Sequence, residues 1–321
     1  MSVRKLPHPP GGREPRPPAP EEPAAAPAAA GPAADDDGEA RALPRDLAPR
    51  LRRAFRAPRA RRAALMPYLT GGHPTLETSD ALIATLVDAG ADVVELGIPF
   101  SDPIADGPVV QQSTHAALTA GVTPDDVLGL AAAHSSAVPF VLLTYLNSVL
   151  AYDAGRFFER AARAGVEALV IPDLPLDEAS GRDVPLAREA GGLAPLAAGA
   201  GVSLVPMATP TSTDERLDLV AAAATSFVYC VAVTGVTGAR AEVGAELPGL
   251  LSRLRERTDA PLAVGFGIST PEQAASVASQ ADGVIIGSAL IDAVSRAGTP
   301  DEACAAAAKL VGDASAAIAG A

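Results

Sequence analysis

Three groups of residues in this chain have the types and spacing for chemistry. The first is a carboxylate inside an apolar run. Asp92-Val93-Val94-Glu95-Leu96-Gly97-Ile98 alternates as a strand does, with Val93, Glu95 and Gly97 on one face and Val94, Leu96 and Ile98 on the other. Burying Glu95 there is costly unless it is paired or titrates with a raised pKa, the condition that suits a general acid/base. No Lys or Arg occurs from residue 63 to residue 155, so the neighbouring sequence offers no cation. The plainer alternative is a carboxylate satisfied by backbone or hydroxyl donors. The second group is Asp106, eleven residues on, in Ile98-Pro99-Phe100-Ser101-Asp102-Pro103-Ile104-Ala105-Asp106-Gly107-Pro108. Such a loop can carry a second carboxylate over the same mouth, although an Asp in that setting is by itself a turn residue. The third group is a set of glycines that follow apolar runs: Gly238, Gly265-Phe266-Gly267-Ile268-Ser269, and Gly287-Ser288 ahead of a helical stretch. Backbone N–H groups at such turns, aided by a helix dipole, bind an anion such as phosphate. Each glycine alone marks only a tight turn.

The elements that must position these groups form a repeated pattern from Ala64 onward: an apolar run, a Gly/Pro/Asp/Thr loop, then an Ala/Leu-rich stretch of helical periodicity. Strands are expected at 65–70, 92–98, 139–146, 168–172, 201–207, 227–233, 261–264 and 283–286, with helices such as 76–89, 153–165, 213–224 and 271–279 between them. Thr213-Asp214-Glu215 and Ser269-Thr270-Pro271-Glu272 read as helix starts. Alternating strands and helices on this scale predict an α/β fold, a (β/α)8 TIM barrel. A doubly wound open sheet is the alternative. It loses ground because Thr70-Gly71-Gly72-His73-Pro74 lacks the Gly-x-Gly-x-x-Gly spacing after the first strand. In a barrel the loops at the C-terminal strand ends carry the chemistry, and glycines after strands seven and eight form a recurrent phosphate site.

The chain has 321 residues, 48% of them apolar and 20% charged, with 29 Gly and 30 Pro. Residues 1–43 are rich in Pro, Ala and Gly and nearly lack large apolar side chains, so they are expected to be a disordered arm ahead of a catalytic domain at 44–321. Next comes an Arg-rich segment, 46–62, where Leu47, Leu51 and Phe55 at helical spacing predict a short amphipathic helix lying on the domain. The net charge of −13 argues against nucleic-acid binding, yet it is uneven. Residues 1–62 hold 13 Lys/Arg against 8 Asp/Glu, and the remainder holds 12 against 30. The N-terminus has no apolar leader core and no run is long enough for a membrane span, so a cytoplasmic location is expected.

Composition also narrows the reaction. The only lysines are Lys5 and Lys309, neither on a strand, which excludes a Schiff-base aldolase. Two cysteines, Cys230 and Cys304, and four histidines form no clustered ligand spacing, so no metal site is expected. Proton transfer on a phosphorylated substrate remains. Cleavage of a C–C bond would then need a substrate with its own electron sink.

Five stretches together resemble the tryptophan synthase alpha chain family: Pro67-Tyr68-Leu69-Thr70-Gly71-Gly72-His73-Pro74, the run from Glu95 to Pro108, Ile171-Pro172-Asp173-Leu174-Pro175, Thr234-Gly235-Val236-Thr237-Gly238 and Gly265-Phe266-Gly267-Ile268-Ser269. They fall in the family's order across roughly residues 60–300. The resemblance implies a (β/α)8 barrel that cleaves indole-3-glycerol phosphate to indole and glyceraldehyde 3-phosphate. It implies Glu95 as the acid/base and Asp106 as the carboxylate that stabilises positive charge on the indole nitrogen. The protonated indole is then the electron sink. Tyr229 matches a tyrosine near the acid/base, while Tyr68, Leu143, Tyr145 and Phe266 fall where the family lines its indole pocket. The backbone at Gly238, Gly267, Gly287 and Ser288 matches the phosphate site. The resemblance further implies a beta chain as partner, in an assembly of two alpha and two beta chains, with pyridoxal phosphate on beta and no cofactor on this chain. Pro99, Asp102 and Asn147 match contacts with that partner.

The chain departs from the pattern at Ala232-Val233, at Asn147-Ser148, and at 191–202, which reads as an insertion before the fifth strand. Alternatives on the same residues are a stand-alone indole-glycerol phosphate lyase and a catalytically weak allosteric partner of beta.

Overall fold

Short apolar runs, each closed by Gly, Pro or Thr, form the strands of a parallel sheet. The structure, a computed structural model, describes residues 47–56, 63–174, 176, 192–232, 246–265 and 267–321. The expected arm at 1–43 lies outside them. In chain order the strands are β1 (Ala64–Thr70), β2 (Val94–Gly97), β3 (Phe140–Leu143), β4 (Val166–Val170), β5 (Ser203–Leu204), β6 (Met207–Ala208), β7 (Val228–Val231), β8 (Leu262–Gly265) and β9 (Gly283–Ile286). Their order in the sheet is β5-β4-β3-β2-β1-β9-β8-β7-β6.

The two ends of that order are one piece of chain, for only Val205 and Pro206 separate β5 from β6. Ser203 pairs with Ala168 of β4, and Met207 pairs with Tyr229 of β7. Between them the Val205 N–H donates to the Leu169 carbonyl at 2.9 Å, and the Tyr229 N–H donates to the Pro206 carbonyl at 3.0 Å. The sheet therefore closes into an α/β barrel of eight strand positions, the fifth of them interrupted. The sequence predicts one unbroken run at 201–207. Pro206 has no N–H to give the ladder, which accounts for the break.

Register decides which side chains fill the barrel, because paired residues on parallel neighbours point to the same side. One inward set runs Tyr68, Glu95, Val141, Ala168, Ser203; another runs Tyr229, Ala263, Gly283, Ala64. Outside the ring, helices start on side-chain caps. Thr75, Thr213, Thr270 and Thr299 accept from backbone N–H groups, and Thr123 forms a capping box with Asp126. The helix expected in the Arg-rich segment spans Pro49–Arg56, with Leu51 and Phe55 buried. Phe55 packs on Phe227 with ring centroids 5.1 Å apart and lies against Gly283, so this helix seals the N-terminal end of the barrel.

One further expectation is corrected. The third run was expected to extend to residue 146. Strand pairing stops at Leu143, and Tyr145 is instead the N-cap of the helix Leu146–Ala151, whose leading N–H bonds to Asp173 Oδ1 at 2.8 Å. The stretch read as an insertion holds the helix Leu193–Gly199. It buries Leu193, Ala194 and Ala197 and packs on β5 and on the helix Ala154–Arg163, so it is an element of the barrel's outer layer.

Candidate active site

Glu95 is 1% exposed in the middle of β2, and its Oε1 is buried without a hydrogen-bond partner among the described residues. Burial, and then the charge of Asp106, push its carboxyl up to about 8. Its direction follows from Tyr229, which is four strands away in the sheet and yet feels the Glu95 charge across the interior. Two glycines make room for the phenols beside it. A Cβ on Gly97 would collide with the Tyr68 hydroxyl, and one on Gly265 would collide with the Tyr229 hydroxyl. Gly97 and Gly265 are therefore seats for tyrosines, a role that was hidden in the sequence. The small residue two places after Glu95 on the same strand face was the available signal. Burial raises both phenols above their ordinary value, so both are neutral. The Tyr68 hydroxyl lies 3.4 Å from Thr70 Oγ1, which lies 2.7 Å from Ser113 Oγ, and Ser113 donates to the Val110 carbonyl at 2.8 Å.

Asp106 reaches the same interior from the loop after β2. A turn fixes its backbone: its N–H donates to the Pro103 carbonyl at 3.1 Å, and Gln111 Nε2 donates to the Asp106 carbonyl at 2.8 Å. The Tyr145 hydroxyl donates to Asp106 Oδ2 at 3.0 Å. Burial raises the Asp106 carboxyl, the Tyr145 hydrogen bond pulls it back, and it comes to about 6. At neutral pH the two carboxylates thus differ, with Glu95 protonated and Asp106 ionised. Neither forms an ion pair among the described residues.

The glycine turns stand at the same end of the barrel. Gly267 has φ +81°, a left-handed conformation that favours glycine. Gly287 precedes the helix Ser288–Ser295 and supplies no side-chain cap, leaving a helix N-terminus at the strand end. The Tyr68 side chain lies 3.5 Å from where a Gly287 Cβ would be, so this turn adjoins the tyrosine that feels the charges of both carboxylates. Gly238 and Phe266 lie outside the described residues. Leu143 pairs with Gly97 and faces inward one turn of alternation before Tyr145. The residues matched to partner contacts lie near the rim. Pro99 is buried, Asp102 and Asn147 are exposed, and Ile104 stands 81% exposed beside them.

A separate cavity of about 300 Å³ lies between the sheet and the outer helices, lined by Thr270, Ile286, Ala293 and Lys309 among others. None of the carboxylates or tyrosines above borders it, so the convergence of buried polar groups inside the ring defines the site better than cavity size does. Among the described residues no three His, Cys, Asp or Glu are placed to hold a metal ion. No helix among them is long and apolar enough to cross a membrane.

Residues 55–318 match the family described as tryptophan synthase alpha chain. The tryptophan synthase alpha chain of Carboxydothermus hydrogenoformans is 44% identical over 233 residues, covering 72% of this chain and 83% of its own length. That of Gluconacetobacter diazotrophicus is 44% identical over 263 residues, covering 78% and 92%. Among solved structures, tryptophan synthase subunit alpha from Legionella pneumophila superposes with a TM-score of 0.73 at 32% identity, covering 85% of this chain and 99% of that one. A tryptophan synthase chain from M. tuberculosis gives 0.71 at 34% identity, with 82% and 96% covered.

Proposed function

The chain belongs to the tryptophan synthase alpha chain family, and from that premise we propose that Glu95 and Asp106 divide the chemistry of its reaction. The reaction is the lyase cleavage of indole-3-glycerol phosphate to indole and glyceraldehyde 3-phosphate. The observation that carries the assignment is the orphaned Oε1 of a fully buried Glu95 beside a second carboxylate. Held protonated at neutral pH, Glu95 gives its proton to the indole ring carbon that bears the glycerol chain. Positive charge develops on the ring nitrogen, and the ionised Asp106 stabilises it. Glu95, now a carboxylate, takes the proton of the side-chain hydroxyl next to the breaking bond. That hydroxyl carbon becomes the aldehyde, and the electrons of the C–C bond return to the ring. One proton enters and one leaves through the same group.

Tyr68, Leu143, Tyr145 and Tyr229, with Phe266, line the indole end of the pocket. The backbone at Gly238, Gly267, Gly287 and Ser288 holds the phosphate, which suits a chain with a single lysine after residue 5. Pro99, Asp102 and Asn147 face a beta chain in an assembly of two alpha and two beta chains, and the bare Ile104 supports a covered rim. Pyridoxal phosphate belongs to beta, this chain needs no cofactor, and the assembly works in the cytoplasm. The test is indole release from indole-3-glycerol phosphate by the purified chain, with and without a beta chain. Release that rises strongly with beta supports the reading; no release in either case overturns it.

A further inference from the structure

Tyr145 is 2% exposed, and its hydroxyl serves two partners on one loop. It donates to Asp106 Oδ2 at 3.0 Å and accepts from the Ala105 N–H at 3.0 Å. Its ring stacks on Phe100 at the other end of that loop, with centroids 5.1 Å apart and planes 21° from parallel. Tyr145 therefore grips the loop after β2 at Phe100, Ala105 and Asp106. It is held in turn, because the next residue's N–H is tied to Asp173 in the loop after β4.

The groups facing Asp106 explain why this contact matters. Glu95 faces it from β2, Tyr68 from β1, Tyr229 from β7 and Tyr145 from the end of β3, while Asp173 acts on Tyr145 from behind. Every one is an acid, and none among the described residues is a cation. Burial works against the Asp106 anion, and so would a charged Glu95. Among the described residues the Tyr145 hydroxyl is the one side-chain donor on it, and a hydrogen bond from a neutral donor to a carboxylate is charge-assisted.

We infer that Tyr145 is a positioning residue, whose hydroxyl holds the Asp106 carboxylate in place as the anion while its ring fixes the loop that carries it. The inference rests on the proposed role of Asp106 and goes beyond the lining of a pocket. Tyr145→Phe keeps the ring and the stack and removes only the hydroxyl. In the full-length chain labelled with [γ-13C]aspartate and free of substrate, the Asp106 resonance is identified by its loss in Asp106→Asn. Its titration midpoint should rise by about one pH unit in Tyr145→Phe, because a hydrogen bond to a charged group is worth at least that much. In single-turnover cleavage, Tyr145→Phe should move the acid limb upward by the same shift. It should cost little in an Asp106→Asn background, as coupled residues do. If Tyr145→Phe fails to fold, 3-fluorotyrosine at position 145 is a stronger donor and should move the Asp106 midpoint downward. An unmoved midpoint in a folded variant, or equal losses in both backgrounds, would reduce Tyr145 to a pocket wall. Failure of the wild-type chain to cleave substrate would instead overturn the proposed function, with the titration still reporting on Tyr145.

Discussion

Two glutamates on strands of the same sheet have opposite surroundings. Glu167, on β4 at the N-terminal end of the barrel, accepts from the N–H groups of Arg50 and Leu51 at 3.0 and 2.9 Å, and its other oxygen lies 3.9 Å from Arg50 Nε. Those N–H groups open the helix Pro49–Arg56, where the first turn lacks backbone partners and the dipole favours an anion. Glu95, on β2, has a buried oxygen with no hydrogen-bond partner and no ion pair among the described residues. Residue type and strand location do not separate the two; the partners do. The floor of the barrel spends its carboxylate on holding a helix, while the rim leaves one unsatisfied and available to move a proton.

The widest split between the two regions should come from Glu95→Gln. The side chain keeps its shape but cannot exchange a proton, so the chemical step should fall by at least ~10²-fold, the lower end of general acid–base contributions. Its effect on stability should run the other way. Burial raises Glu95 from 4.5 to about 8, so the folded chain keeps a proton that the unfolded chain releases. That contribution is whole below the unfolded value and is lost as pH rises through the folded one. Thermal melts should therefore show Glu95→Gln gaining on the wild type most at alkaline pH. Next in size is Asp106→Asn, which leaves the proton donor intact and removes the countercharge. It should cost about 10²-fold in the same single-turnover step.

Gly287→Val tests the backbone cradle, and it should weaken substrate affinity while leaving the fold intact. Gly267 is the poorer position for this test because any side chain there would strain a left-handed residue. Lys309, paired with Asp313 on the surface of the last helix, should be replaceable by Ala without effect on affinity. Equal behaviour of Gly287→Val and Lys309→Ala would remove the cradle from the account. On the floor, Glu167→Ala should leave turnover alone and cost about 1 kcal/mol, as the loss of a helix cap does. The thermal midpoint would then drop by roughly 2–4 °C in a chain of this size class. A fall in turnover without a fall in stability would erase the distinction between floor and rim. The smallest change is expected on deleting residues 1–43, whose composition gives the barrel nothing to bury.

What the sequence made legible divides along the same lines. Strand positions came within a few residues because apolar runs and their Gly/Pro punctuation are local properties, and the Glu95 face followed from alternation alone. The interruption of the fifth strand was less visible. Pro206 sits inside an apolar run, and its consequence depends on which neighbour pairs with each half. The seats at Gly97 and Gly265 and the hydroxyl of Tyr145 on Asp106 were not legible, since they join residues brought together only by closure of the ring. Glu167 gave no signal for the same reason: its partners lie more than a hundred positions earlier, at separations of 117 and 116 residues.

The most direct test of the central claim is the pH dependence of single-turnover cleavage of indole-3-glycerol phosphate, with beta present, for the wild type and for Glu95→Gln. The wild type should give a bell, rising as Asp106 ionises near 6 and falling as Glu95 loses its proton near 8. Glu95→Gln should lie at least ~10²-fold lower and lose the alkaline limb. Near wild-type turnover by Glu95→Gln, with its alkaline limb intact, would contradict the assignment of Glu95 as the acid/base.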